Sequence, residues 1–217
     1  MEGNAAPNVG DPVRCLIPLV TSWPILLPMN PEILARKHAE GLTYAEYVCT
    51  GSDSQQENWK TLYDQAVLTD PQQRLLASFT RRINVIALSG IWCGDCVQQG
   101  PLIARIAEAA PTCISLRWLD RDAHMDLQES VSINAGHRVP VLIFCAEDFE
   151  LVGWHGDRTL NRYRALAHKQ LGASCPLPGG PVDRDELAAT VGDWIEQFER
   201  VHLLLRLSSR LRQIHRD

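Results

Sequence analysis

A chain of 217 residues with 45% apolar side chains has material for one hydrophobic core plus extensions. Its formal net charge of −5 argues against general nucleic-acid binding, and seven cysteines over this length are too sparse for a disulfide scaffold. The most apolar early stretch, residues 15–29, is broken by Pro18, Pro24 and Pro28 and is too short to span a bilayer.

In chain order, residues 1–30 read as an extended arm, because prolines recur and no helical period is present. Glu2 and Asp11 precede the apolar stretch and no small-x-small site follows it, which argues against a secretory leader. Cys15, Cys49, Cys113, Cys145 and Cys175 are scattered, as suits small buried hydrophobes in a reducing compartment, so the expected location is cytoplasmic. Residues 31–81 read as a helical extension. Pro31 opens one helix, Thr43-Tyr44-Ala45-Glu46 has the form of a capping box, and Gly51 is a stop signal. Trp59, Leu62 and Tyr63 stripe a helix over about 55–66, and Asp70-Pro71 reads as an N-cap followed by a first-turn proline. Core packing is the better reading of Trp59, Tyr44 and Tyr47 than a partner surface.

The run Ile83-Asn84-Val85-Ile86-Ala87-Leu88 predicts a buried strand, and Leu102, Ile103, Ile106, Ala107 and Ala110 share one face of a following helix. Cys93-Gly94-Asp95-Cys96 lies at the handover between them. The first N–H groups of a helix are unpaired and carry partial positive charge, so a thiol placed there ionises more easily. Cys96 stands about one turn on, within bonding reach of Cys93. A second strand is expected over 113–119, a crossover helix over 125–131 and a third strand over 139–145. A fourth over 151–154 follows a short turn, and a helix after that is capped by Asp157. Gly and Pro mark residues 172–181 as a linker, within a final segment of 173–217. Beyond it Leu187, Val191, Trp194, Phe198, Val201 and Leu205 form the seam of one long amphipathic helix. Arg206, Arg210, Arg212 and Arg216 at its end complement the helix dipole or meet an acidic partner. The seam needs a cover, either the N-terminal helices or a second subunit, which makes a homodimer through this helix one expectation.

Trp92-Cys93-Gly94-Asp95-Cys96 resembles the active site of the thioredoxin family, whose motif is Trp-Cys-Gly-x-Cys. Pro101, five residues after Cys96, and Arg138-Val139-Pro140, leading into a strand, resemble that family's helix proline and cis-proline segment. Aspartate in third place resembles a bacterial thioredoxin-like subgroup. The resemblance covers residues 82–172 and implies an α/β fold with a βαβ–ββα core, carrying the N-terminal helical extension and the long C-terminal helix. It implies a thiol-disulfide oxidoreductase that reduces disulfide-containing protein substrates and is recharged by an upstream reductase, with no cofactor beyond the Cys93–Cys96 disulfide. Cys93 would attack and Cys96 resolve. Val139, beside a cis Pro140, would pair with the bound peptide, and Trp92 and Gly94 would shape the surface around the sulfurs. Asp95 is expected to repel the Cys93 thiolate and raise its pKa. In one respect the chain departs from the family: the buried acid six residues before the first cysteine is Ala87 here, which leaves Asp120 or Asp95 as substitutes.

Two other readings compete. Half a zinc site would need a second pair of ligands, and His124, His137 and His155 offer no obvious pairing. A binding or redox-sensing module on the same scaffold, with little turnover, would have less need of both cysteines. No nucleic-acid or membrane partner is expected.

Overall fold

The computed structural model describes residues 29–171 and 185–217. The expected arm (up to residue 28) and all of the expected linker lie outside the described residues, as do Cys15 and Cys175. Four helices come first. In α1 (Pro31–Glu40) the Asn30 side chain accepts the Ile33 N–H, and Pro31 takes the first helical position, where its missing donor costs nothing. α2 (Tyr44–Val48) carries the expected capping box, Thr43 and Glu46 satisfying each other's backbone N–H. α3 (Asp53–Gln65) and α4 (Asp70–Ala77) follow. The cap of α4 lies one residue earlier than expected. Thr69 forms a capping box with Gln72, and Asp70 and Pro71 are already helical.

The sheet and its crossovers come next: β1 (Ile83–Ser89), α5 (Gly94–Ala109), β2 (Ile114–Asp120), α6 (Met125–Ser130), β3 (Val141–Cys145), β4 (Leu151–Gly156) and α7 (Leu160–Leu171). Strand order is β2-β1-β3-β4, with β1 and β2 parallel and the other two pairs antiparallel. This is the expected βαβ–ββα arrangement. β1 is central and buried at every position, which explains its unbroken apolar run. Its residues alternate between two cores. Ile83, Val85 and Ala87 meet α3 and α5, while Ile86 and Leu88 meet Leu34 of α1 and Leu127 of α6. The outer edge of β2 is partly closed by Leu42, which exchanges both backbone hydrogen bonds with Trp118. That bridge carries α2 across to the first core.

The C-terminal segment is docked but is not one helix. α8 (Glu186–Leu207) stops at Ser208, whose hydroxyl caps α9 (Ser209–His215) by accepting the Leu211 N–H. Val191, Trp194, Phe198, Val201 and Leu205 sink into the first core, so the chain itself covers the seam. Two of the terminal arginines pair with acids of the chain at its surface: Arg206 with Asp217, which also takes Arg81, and Arg210 with Asp148.

One close approach ties α3 to the helix carrying the cysteines. A Cβ on Gly100 of α5 would lie 2.3 Å from the Trp59 ring. That ring cannot retreat, since Tyr47 and Trp118 stand edge-on to it at 5.6 and 5.8 Å between centroids. Gly100→Ala gains about 1 kcal/mol of helix propensity. It loses about 1–3 kcal/mol to overpacking, with the upper end expected for so deep a clash. Net destabilisation should appear as a lower urea midpoint, and an unchanged or higher midpoint would contradict this packing.

Candidate active site

β1 ends at Ser89, and three residues carry the chain to Cys93, the N-cap of α5, with φ −81° and ψ 124°. The Cys93 carbonyl accepts the first helical bond from the Val97 N–H at 2.9 Å, and the Cys93 N–H donates to Gly90 at 2.9 Å. The loop is held from beneath, where the Trp59 indole donates to the Ile91 carbonyl at 3.1 Å. This leaves Cys93 half-buried at the mouth, and Cys96, one turn on, fully buried.

Burial and hydrogen bonding split the two thiols. The Cys93 pKa falls to about 6, chiefly because Cys96 donates to its thiolate, with help from the Cys96 and Asp95 backbone N–H groups; burial and the Asp95 carboxylate oppose. The Cys96 pKa is pushed well up, first by burial and then by the Cys93 sulfur beside it. The sequence placed Cys93 at a helix start, and the structure adds that the hydrogen bond from its partner outweighs the backbone donors. The alkylation rate of Cys93 in the reduced protein should therefore rise with pH through about 6 and level off above it. A midpoint near the ordinary thiol value would contradict the geometry.

Across from the sulfurs the Val139–Pro140 bond is cis, as the resemblance implies, and the Cys93 thiol donates to the Val139 carbonyl at 3.8 Å. Trp92 is half exposed, with the Arg121 guanidinium 4.6 Å from its ring centroid, and Arg121 also donates to the His137 carbonyl. The tryptophan loop is thus tied to the segment before Pro140. A Cβ at Gly94 would meet nothing within 4 Å, so packing does not demand glycine there.

Asp95 opposes the Cys93 thiolate as expected, and it has partners that no spacing in the sequence marks. Its carboxylate is not a free charge beside Cys93, because it accepts from Arg158 Nε at 2.9 Å and Arg162 Nη2 at 3.1 Å, and also from Arg158 Nη2. Arg162 continues to Glu186 at 2.7 Å, so the first turn of α5 is bound to α7 and the start of α8. Asp157 is misplaced by the sequence reading. It caps no helix, α7 starting three residues later; its buried carboxylate takes Arg138, Arg158 and the Tyr163 hydroxyl. Pairing does not cancel the effect of Asp95, since removing one negative charge changes the field at Cys93 whatever its partners. Asp95→Asn should lower the Cys93 pKa by about 0.5–1 unit and loosen the tie to α7. A thiolate absorbance titration in which the pKa holds or rises would overturn this.

Ala87 is buried against Trp118 and Leu142 of the flanking strands, and neither proposed substitute acid reaches Cys96 with a hydrogen bond. Asp95 is held by arginines, and Asp120 accepts the Asp122 and Ala123 N–H groups at 2.8 and 3.2 Å. Gln99 went unmarked in the sequence. It is fully buried, donates to the Asp157 carbonyl at 2.9 Å and accepts the Trp194 indole at 3.2 Å, linking α5 to α8. The available signal was a glutamine three residues after Cys96 on an otherwise apolar helix face. Among the described residues, no three His, Cys, Asp or Glu side chains converge as metal ligands would. No helix among them is long and apolar enough to cross a membrane.

Among solved structures the chain is similar to a protein of unknown function from Pseudomonas aeruginosa, with a TM-score of 0.60 and 20% identity over 76% of this chain and 96% of that one. It is also similar to an HIV epitope scaffold, with a TM-score of 0.58 and 17% identity over 81% of this chain and 98% of that one. At such identities both show the fold alone. No curated protein matches it. The sequence model of the thioredoxin family matches residues 41–166, which take in α2 to α4 as well as the sheet and the cysteines. That match covers more than half of the chain, and the chain belongs to the thioredoxin family.

Proposed function

We propose that the chain is a thiol-disulfide oxidoreductase that reduces protein disulfides through a Cys93/Cys96 relay, in a cytoplasmic, bacterial branch of the family marked by Trp-Cys-Gly-Asp-Cys. The observation that carries this reading is the split between the thiols: one half-exposed with a pKa near 6, the other buried one turn away and protonated. The Cys93 thiolate attacks one substrate sulfur. The substrate disulfide breaks, and its other sulfur leaves as a thiolate and takes a proton. Cys96 then attacks Cys93, releasing the second substrate thiol and closing the Cys93–Cys96 disulfide. An upstream reductase returns the two electrons, and no other cofactor is needed.

Substrate docks as an extended segment against the backbone of Val139, beside cis Pro140, where the carbonyl already meets Cys93. Trp92 and Gly94 form the rim, and Asp95 tunes the nucleophile from its arginine clamp. With the seam of α8 buried, a homodimer through the C-terminal segment would use its outer Leu203, Leu204 and Leu207, which remain exposed. The test is reduction of a model protein disulfide by dithiothreitol. The rate should rise in proportion to added protein. A rate equal to that of dithiothreitol alone would leave a binding or redox-sensing module.

A further inference from the structure

Two buried hydroxyls beside the resolving cysteine have no role in the mechanism above. Ser89 closes β1, two residues beyond Ala87 and on the same face, which looks toward α3 and α5. Tyr47 reaches this region from α2, its ring stacked on Trp118 at 5.5 Å. Ser89 is 0% and Tyr47 1% exposed, and neither hydroxyl has a hydrogen-bond partner at ordinary distance and angle among the described residues. An unpaired buried hydroxyl costs about 1–3 kcal/mol. Alanine and phenylalanine would fill much the same space without that cost, so these oxygens call for an explanation.

Their setting supplies one. Ser89 stands on the β1 face that looks toward α5, next to Gly90, and its hydroxyl favours the Cys96 thiolate and the Tyr47 phenolate against burial. The next residue, Gly90, points its N–H at Cys96 Sγ at 3.5 Å. Burial raises the Tyr47 pKa, so the phenol stays protonated and is a standing donor. The titratable groups that Tyr47 senses here are Cys93, Cys96 and Asp120.

Resting on the dithiol reading above, we propose that the Ser89 hydroxyl and the Gly90 N–H form a thiolate hole for Cys96, with Tyr47 as the positioning residue that donates to the Ser89 oxygen. In the resolving step Cys96 loses its S–H proton and its sulfur electron pair forms the Cys93–Cys96 bond. The bond between Cys93 and the substrate sulfur breaks, and its electron pair leaves on that sulfur, which takes up one proton. Neither Ser89 nor Tyr47 has to hold a proton in transit. They stabilise negative charge while it resides on a sulfur that burial would keep neutral, as donors aimed at developing charge do elsewhere. The device supports the Cys96 thiolate where no acid stands at position 87.

The experiment has two arms on the full chain. In a Cys93→Ala background, thiolate absorbance against pH, less that of the Cys93→Ala/Cys96→Ala chain, reads Cys96 apart from the other five cysteines. Adding Ser89→Ala should raise its pKa by about one unit, Tyr47→Phe by less, and Ser89→Thr should restore it. In the otherwise wild-type chain, a mixed disulfide of Cys93 with thionitrobenzoate should release its thiol about tenfold more slowly in Ser89→Ala, with the release profile displaced to higher pH. A Cys96 pKa and a release rate that both stay at the parent value would overturn the thiolate hole and leave the dithiol reading standing. A wild-type chain that never releases thionitrobenzoate would overturn both. If Ser89→Ala fails to fold, Tyr47→Phe decides alone, and parental values there would overturn the proposal.

Discussion

Cys93→Ser reduces disulfide exchange to the rate of the added thiol alone. A serine hydroxyl at this N-cap does not ionise near neutral pH, so neither the helix donors nor the Cys96 S–H has an anion to stabilise. The other thiol of the pair, Cys96, is fully buried and held protonated, so it cannot take over the first attack. The pH sign follows from the Cys93 pKa, which folding depresses from 9.0 to about 6. The stabilisation of the reduced chain is fully present above the unfolded value and is lost as pH falls through the folded one. The oxidised chain has no such thiolate to gain from. The couple is therefore more oxidising at neutral pH than a pair of ordinary thiols would be. Equilibration of wild-type protein with glutathione measures this, and the single mutant in a turnover assay measures the loss. Normal turnover by Cys93→Ser would remove Cys93 from the mechanism.

Deleting residues 185–217 abolishes folding. The cut removes Val191, Trp194, Ile195, Phe198, Val201, Leu205 and Leu211 from the main core, all buried. At about 1.5–3 kcal/mol for each large side chain, the loss exceeds about 10 kcal/mol, the scale of a whole domain's stability. It also uncovers Phe144, which meets Phe198 edge-on at 5.3 Å, and strips Gln99 of its indole donor. The Gln99 contact, three residues from Cys96, argues that the dithiol chemistry would be lost with it. Circular dichroism on heating is the check, and cooperative unfolding of the truncated chain at the wild-type temperature would contradict this account.

The parts of the molecule legible in the sequence are those written in short range. The strand, turn and helix around Cys93 are marked by an apolar run, a breaker and a periodic face within thirty residues, and all three are present. The capping box at Thr43 is equally local. At α4 the sequence carries two cap signals, the Asp70-Pro71 pair and Thr69 with Gln72, and the fold uses the second. The break at Ser208 also had a local signal, a serine able to cap, but the apolar seam on either side outweighed it. Asp157 looks like a cap in the sequence because its three partners, Arg138, Arg158 and Tyr163, are chosen by the tertiary fold. The arginine clamp on Asp95 and the Ser89–Tyr47 pair were illegible for the same reason. Their members lie 42 to 67 residues apart in the chain, and no spacing rule connects them.

Trapping tests the central claim most directly. Cys96→Ser protein is mixed with a disulfide-bonded protein substrate, quenched with acid and mapped by peptide mass. The account predicts a covalent adduct through Cys93, because the first attack proceeds and the resolving sulfur is gone. An adduct through the exposed Cys49 in its place, or no adduct at all, would contradict it.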